Sequence, residues 1–274
     1  KPIEVLFEGV RTDVYKPVNT DNNSTIVKTI NEIPEQFCFL TVGHWLQGDF
    51  GQDRKNMGGT IEMFLRTFKN KKTKPALLIK TQQANSSVSD QTTILTKIDE
   101  VRKKVGGGNL PNIYLLHGDL QDSEINAMYS HPKVKAMISL TRGEGFGRPL
   151  LEFAAHKKPI IASAWSGHTD FLRPDLTLLV GGKLEPVHPS AVIDKMILKD
   201  SKWFEFNPED ATKGLKLVYK DYKKLLTNAK KQTALINKNF SFESMQTKLD
   251  SILTQYVPDF PREAKFKMPG MNGS

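Results

Sequence analysis

Six short apolar runs, each followed by a loop and then a helical pattern, leave little choice of fold. They fall at 37–43, 75–81, 113–116, 136–140, 160–163 and 176–180. Each is continuously apolar rather than alternating, so both of its faces must be covered. Strands of that kind alternating with helices predict an α/β protein, a Rossmann-like parallel sheet with helices on both faces. Helices are expected at 60–68, 93–105, 123–129, 189–197 and 208–236, with one opening on Pro149 and a last one reaching Tyr256. Gly106-Gly107-Gly108 closes the second of these, and Ser241 offers an N-cap hydroxyl to the last. Ile3, Val5 and Phe7 alternate as in a strand, and the polar stretch 18–36 reads as a loop or insertion. Ligands of such sheets bind outside the carboxyl ends of the strands, so the loops there carry the functional reading.

The most informative of those loops is R-G-E-G-F-G-R-P-L-L-E, from Arg142 to Glu152. Three glycines allow close backbone approach, and Pro149 suits a first helical turn because its missing N–H has no intrahelical partner there. Free N–H groups at such a helix start favour a phosphate or another anion. Glu144 and Glu152 stand eight residues apart, which surface pairing along one helix does not explain. On the residues alone, two readings stand side by side. The carboxylates accept hydrogen bonds from a ligand's hydroxyls, or they solvate a loop and a wet helix face.

The pattern E-G-F-G-x-P-x-x-E, with the short apolar helix, Pro159 and the buried run 160–163 behind it, resembles the Glu-x7-Glu motif of retaining glycosyltransferases of the family-4 type, which have the GT-B fold. Arg148 departs from the pattern, since the family often carries an apolar residue there. Gly9, Val10, Thr12, Asp13 and Pro17 are similar to the segment by which family members enter their C-terminal domain, and 166–172 resembles a conserved turn with Asp170 in a glutamate's place. Phe240-Ser241 with Glu243 resembles the start of the family's closing helix. The likeness runs from residue 1 to about 256, with gaps near 18–36 and 82–92.

The resemblance implies three parts: a crossover segment at 1–17, a nucleotide-sugar (donor) binding domain at 18–240, and a closing helix and tail at 241–274. That last part would cross back to an N-terminal acceptor domain outside this chain. It implies that Glu144 contacts the transferred hexose and Glu152 the ribose. Gly145, Phe146, Gly147, Arg148 and Leu150 would face the phosphates through the loop and helix start. Lys55 matches the family lysine that neutralises the leaving diphosphate, so Glu144 and Lys55 are the expected catalytic pair. The family's V-G-R appears here as Val42-Gly43-His44, so its arginine is out of place, and Arg54 or Arg148 is expected to supply the second cation. His117, Gly118 and Leu120 fall where the donor's base lies, with a core role for His117 standing as an equal alternative.

No cofactor and no metal are expected, because Asp49 and Asp53 make a poor metal pair and the six histidines are dispersed. The donor would be a UDP or GDP sugar, the acceptor a glycan, lipid or protein, and this chain alone inactive. Cys38 is the one cysteine, so no internal disulfide forms. A net charge of +9 invites anionic partners, yet no zinc-finger spacing or RNA-binding aromatic motif accompanies it. Nucleic acid is therefore a minor reading, kept as a DNA-modifying transferase. A catalytically inactive nucleotide-sugar-binding module and an epimerase of the same architecture complete the alternatives. No apolar run reaches the ~18 residues of a membrane span. The expected location is cytoplasmic, with a peripheral membrane position open.

Overall fold

The computed structural model describes residues 3–20, 24–45, 53–83 and 86–257. Six strands, β1 (Cys38–Val42), β2 (Ala76–Lys80), β3 (Ile113–Leu116), β4 (Val134–Ser139), β5 (Ile160–Ser163) and β6 (Leu178–Val180), form one sheet in the order β3-β2-β1-β4-β5-β6. All five pairings are parallel. The order turns back between β1 and β4, and the loops at that point bound the crevice where such sheets take ligands. As the apolar runs require, each face is covered by its own cluster of buried side chains. On one face α2 (Met57–Phe68), α3 (Val88–Val105) and the first half of α6 (Pro208–Asn239) bury Phe64, Ile94 and Leu215. On the other, α1 (Thr25–Asn31), α4 (Asp122–Ser130) and α5 (Arg148–Ala154) bury Ile30, Tyr129 and Phe153. The closing helix α7 (Phe242–Tyr256) follows, with Ser241 Oγ accepting the Ser244 N–H as its cap.

Several expectations need correction. The stretch 18–36 contains α1, whose Ile26, Val27 and Ile30 are buried at helical spacing. Residues 3–7 form no strand: Ile3 and Val5 are exposed, and pairing begins only at Val10, which bridges Ser241 in parallel. Helix α3 starts at Val88, five residues early, because Ser87 caps it. The expected helix at 189–197 is a single 3-10 turn, Pro189–Ala191, followed by a bridge between Ile193 and Ile197. Around it, β7 (Gly182–Pro186) and β8 (Lys202–Phe206) form an antiparallel hairpin that the sequence reading lacked. The tail 258–274 and Asp49 lie outside the described residues. Among those described, no helix is long and apolar enough to cross a membrane.

Candidate functional site

The glycine loop leaves β4 at its carboxyl end and meets two neighbours, the segment before α2 and the turn after β5. Gly147 has φ +96°, and a Cβ there would also press on His168 at 2.9 Å, so no L side chain fits without strain. Gly167 is smaller still in its allowance: a Cβ would lie 2.0 Å from the Gly145 carbonyl oxygen. The loop is held from the side by Ser166, whose hydroxyl accepts from the Glu144 N–H at 2.9 Å and donates to the Glu144 carbonyl. His168 is fully buried beneath it and donates Nε2–H to the Ser163 carbonyl at 2.6 Å.

The first carboxylate is tightly matched. Lys55 Nζ donates to both oxygens of Glu144, at 2.6 and 2.7 Å, and Arg54 Nη1 lies 3.5 Å from Oε2 while bonding the Gly143 carbonyl. Asn56, in left-handed backbone, holds the start of α2 against β4 by donating to the Leu140 carbonyl at 3.0 Å, which sets the register of Lys55 and Arg54. Asp53 is buried and accepts the Met57 N–H at 3.0 Å. Among the described residues no group of three metal-ligating side chains converges.

The second carboxylate lies inside α5, in different company. Glu152 accepts from Arg148 Nε at 2.9 Å and lies 3.5 Å from the Tyr129 hydroxyl. Burial pushes its carboxyl up to about 7, against the opposing pull of the Arg148 guanidinium. Tyr15, from the segment before α1, stands beside it with its hydroxyl on Asp122 at 3.0 Å, and desolvation carries that phenol well above its ordinary range. Glu152, Arg148 and Tyr15 line a cleft of ≈ 330 Å³ with Arg11, Phe242 and Met245.

A second recess of ≈ 210 Å³ opens where β1, β2 and β3 end, between His44, Lys80, Gln82, Asp119, Leu120 and Ile125. Gly43 packs against the stem of Lys55 and donates its N–H to the Lys80 carbonyl. His44 is exposed. Gly118 accepts from Lys80 Nζ at 2.6 Å, and burial lowers the Lys80 pKa. His117 takes its core alternative: the side chain is 7 % exposed and its Nε2 sits 2.8 Å from Asp90. Phe146 is half-buried and packs on Phe171 at 5.0 Å between ring centres, and Leu150 is buried.

No protein-family model and no curated protein sequence matches this chain. Solved structures do. A glycosyltransferase from Rickettsia africae matches over 90 % of this chain and 55 % of its own, at TM-score 0.61 and 17 % identity. An Anabaena protein, HepE, solved in complex with UDP-glucose, matches over 92 % and 57 %, at 0.60 and 13 %. The C-terminal domain of a glycosyl transferase group 1 family protein from Francisella tularensis is covered over its entire length, with 85 % of this chain, at 0.53 and 16 %. The fold is that of a GT-B glycosyltransferase domain.

This GT-B domain spans about half the length of the Rickettsia and Anabaena chains. In it Glu144, Lys55, Arg54 and Gly145 form one contiguous group, and Glu152 and Arg148 a neighbouring one joined through the turn at Gly147. The sequence reading put Ser166 in a family-like turn but gave it no site role, and it missed Lys80 and Tyr15. Lys80 carried a signal, a lysine closing an otherwise apolar strand. Tyr15 meets the site from the segment before α1, which no local pattern reports.

Proposed function

We propose that this chain is the donor-binding half of a retaining glycosyltransferase of the family-4 type, transferring a hexose from a nucleotide-diphosphate sugar. The observation that carries the reading is the double hydrogen bond from Lys55 to Glu144, with Arg54 alongside, at the carboxyl edge of a GT-B sheet. Two cations around one carboxylate leave one positive charge for an incoming diphosphate. As that diphosphate departs, Lys55 and Arg54 neutralise the charge that builds on it, which is transition-state stabilisation without a metal. Arg54 thus takes the place of the arginine missing after Gly43. Glu144 is then freed toward the hexose hydroxyls, and Glu152 accepts from the ribose hydroxyls once Arg148 swings aside. His44 and Leu120 bound the recess for the base. UDP is the favoured nucleotide, because the Anabaena protein with this fold holds UDP-glucose. Acceptor groups belong to an N-terminal domain of the same protein, and this chain alone binds donor without turnover. No metal or other cofactor takes part.

Calorimetry with UDP-, GDP- and ADP-glucose, in the presence of EDTA, tests the reading on wild type, Lys55→Ala and Glu152→Ala. Binding selective for one nucleotide and weakened in both variants supports it. Absence of binding to all three, or binding indifferent to both substitutions, refutes it.

A further inference from the structure

Beside the paired Lys55 and Glu144 stands an aromatic group that the donor reading does not use. Trp165 is 44 % exposed, two residues past the buried strand β5 and directly before Ser166, whose hydroxyl makes two hydrogen bonds to the Glu144 backbone. One peptide bond therefore joins the residue bearing the indole to the clamp on Glu144. The indole stacks on Phe204, with planes 8° apart and ring centres at 6.4 Å. Phe204 is buried and donates its N–H to the Arg142 carbonyl at 3.1 Å, which ties the hairpin β7–β8 to the base of the glycine loop. Arg142 completes the tie. Its guanidinium lies 5.7 Å from the Trp203 ring centre, pairs with Glu205, and donates to the Asp53 carbonyl at 2.8 Å. Ser166 itself holds φ +86°, an uncommon conformation for a side-chain-bearing residue, and such strain persists only where its surroundings enforce it.

A flat apolar ring in water costs solvation free energy, and here the ring stands parallel to Phe204 rather than folded into the core. We propose that Trp165 is the stacking platform for a pyranose ring of the acceptor, which makes the acceptor a saccharide. A pyranose has one face of C–H groups carrying slight positive charge and a rim of hydroxyls. The first suits the negative face of an indole, and the second suits polar surroundings. The turn bearing Trp165 is polar at its surface, running on into exposed Thr169 and Asp170. A single ring beside such groups offers an acyl chain little apolar area. The platform lies next to the Ser166 clamp on Glu144, the carboxylate assigned above to the hexose. This rests on the donor reading for its place in the reaction, but the stacking itself does not depend on it.

The test labels the 274-residue chain with 5-fluorotryptophan and follows its fluorine resonances, with Trp165→Phe identifying the Trp165 signal. UDP is present throughout to fill the donor site. Methyl α-glucoside, methyl α-mannoside and maltose are titrated in turn. The expected result is a saturable shift of the Trp165 resonance with at least one saccharide, while Trp45 and Trp203 stay unmoved. Saturation-transfer signals of that saccharide should weaken about tenfold in Trp165→Ala and largely survive in Trp165→Phe, since an aromatic face is what binds. UDP affinity, measured by calorimetry, should be the same in all three proteins. No shift with any saccharide, or equal saccharide binding by Trp165→Ala, overturns the platform, as does a response to anionic vesicles alone. A chain that fails to bind UDP yet shows the Trp165 shift sinks the donor reading and leaves the platform standing.

Discussion

Glu144 and Glu152 are buried to the same degree, with 8 % of each side chain exposed, but their electrical settings are opposite. Glu144 sits between a lysine that is itself mostly buried and an arginine that is half exposed. Glu152 has one cation, Arg148, which is 64 % exposed and well hydrated, and phenols on its other side. Burial then dominates at Glu152 and lifts its carboxyl to about 7. What differs is the depth of the counter-charge: Lys55 is mostly buried beside Glu144, and Arg148 stands in solvent beside Glu152. One region is built around a standing ion pair, the other around an acid whose ionisation is undecided at neutral pH.

The sharpest way to break this contrast is Lys55→Ala. It leaves Glu144 buried without its main counter-charge, and we predict a loss of about 3 kcal/mol or more in urea unfolding. Transfer from UDP-glucose by a protein carrying both GT-B halves should fall on the order of a hundredfold or more. Lys55→Met combined with Glu144→Gln should recover most of the stability and none of the activity. Equal stability of Lys55→Ala and wild type would show that the pair carries no such weight.

Next in size is a pH effect confined to the second region. If ionised Glu152 is the form that accepts ribose hydroxyls, UDP affinity should rise about tenfold from pH 6 to pH 8. Glu152→Gln should flatten that curve, and calorimetry at three pH values decides it.

A smaller effect is in stability. Folded Glu152 holds its proton more tightly than the unfolded chain does, so stability is highest in acid and falls as pH rises from the ordinary 4.5 to about 7. Lys158 runs the other way. It is half-buried, bonded only to the Tyr129 and His131 carbonyls among the described residues, and desolvation lowers its pKa from 10.5 to about 7. Its contribution is lost as pH falls through 7 and is fully present above 10.5. The two together predict a shallow stability minimum near neutrality, seen as a dip in thermal midpoint. Glu152→Gln should remove the acid side of the dip and Lys158→Met the alkaline side. The smallest change expected is in Arg148→Leu, about 0.5 kcal/mol or less for so exposed a cation. It should nonetheless move the midpoint of the affinity curve upward, because Arg148 is what holds the Glu152 pKa down.

Much of this was legible in the sequence, for a physical reason. A strand buried on both faces must be apolar throughout, and all six such runs became strands of one parallel sheet. The glycine loop was legible because its backbone geometry excludes other residues. What escaped notice was set by distant contact. The hairpin β7–β8 is mostly exposed, with burial only at Phe204, so no continuous apolar run announced it. Pro189 opened a plausible helix at 189–197, but the segment turns back within a few residues, with Lys195 at φ +61°. His117 illustrates the limit for site residues. Its position after β3 matched the expected base loop, and only the fold could show its ring bound to Asp90.

Val10 deserves a last consequence. Its N–H reaches the Phe240 carbonyl at 2.8 Å and its carbonyl takes the Phe242 N–H at 2.9 Å, a two-bond parallel clasp between the segment entering the domain and the one leaving it. A pull applied between residues 3 and 257 would load both bonds at once and along the strand direction, as shear. The sheet would carry no tension until the clasp gave way. Mechanically, Val10 is a fuse: the first event under load would be separation of the two segments, with β1 to β6 still paired.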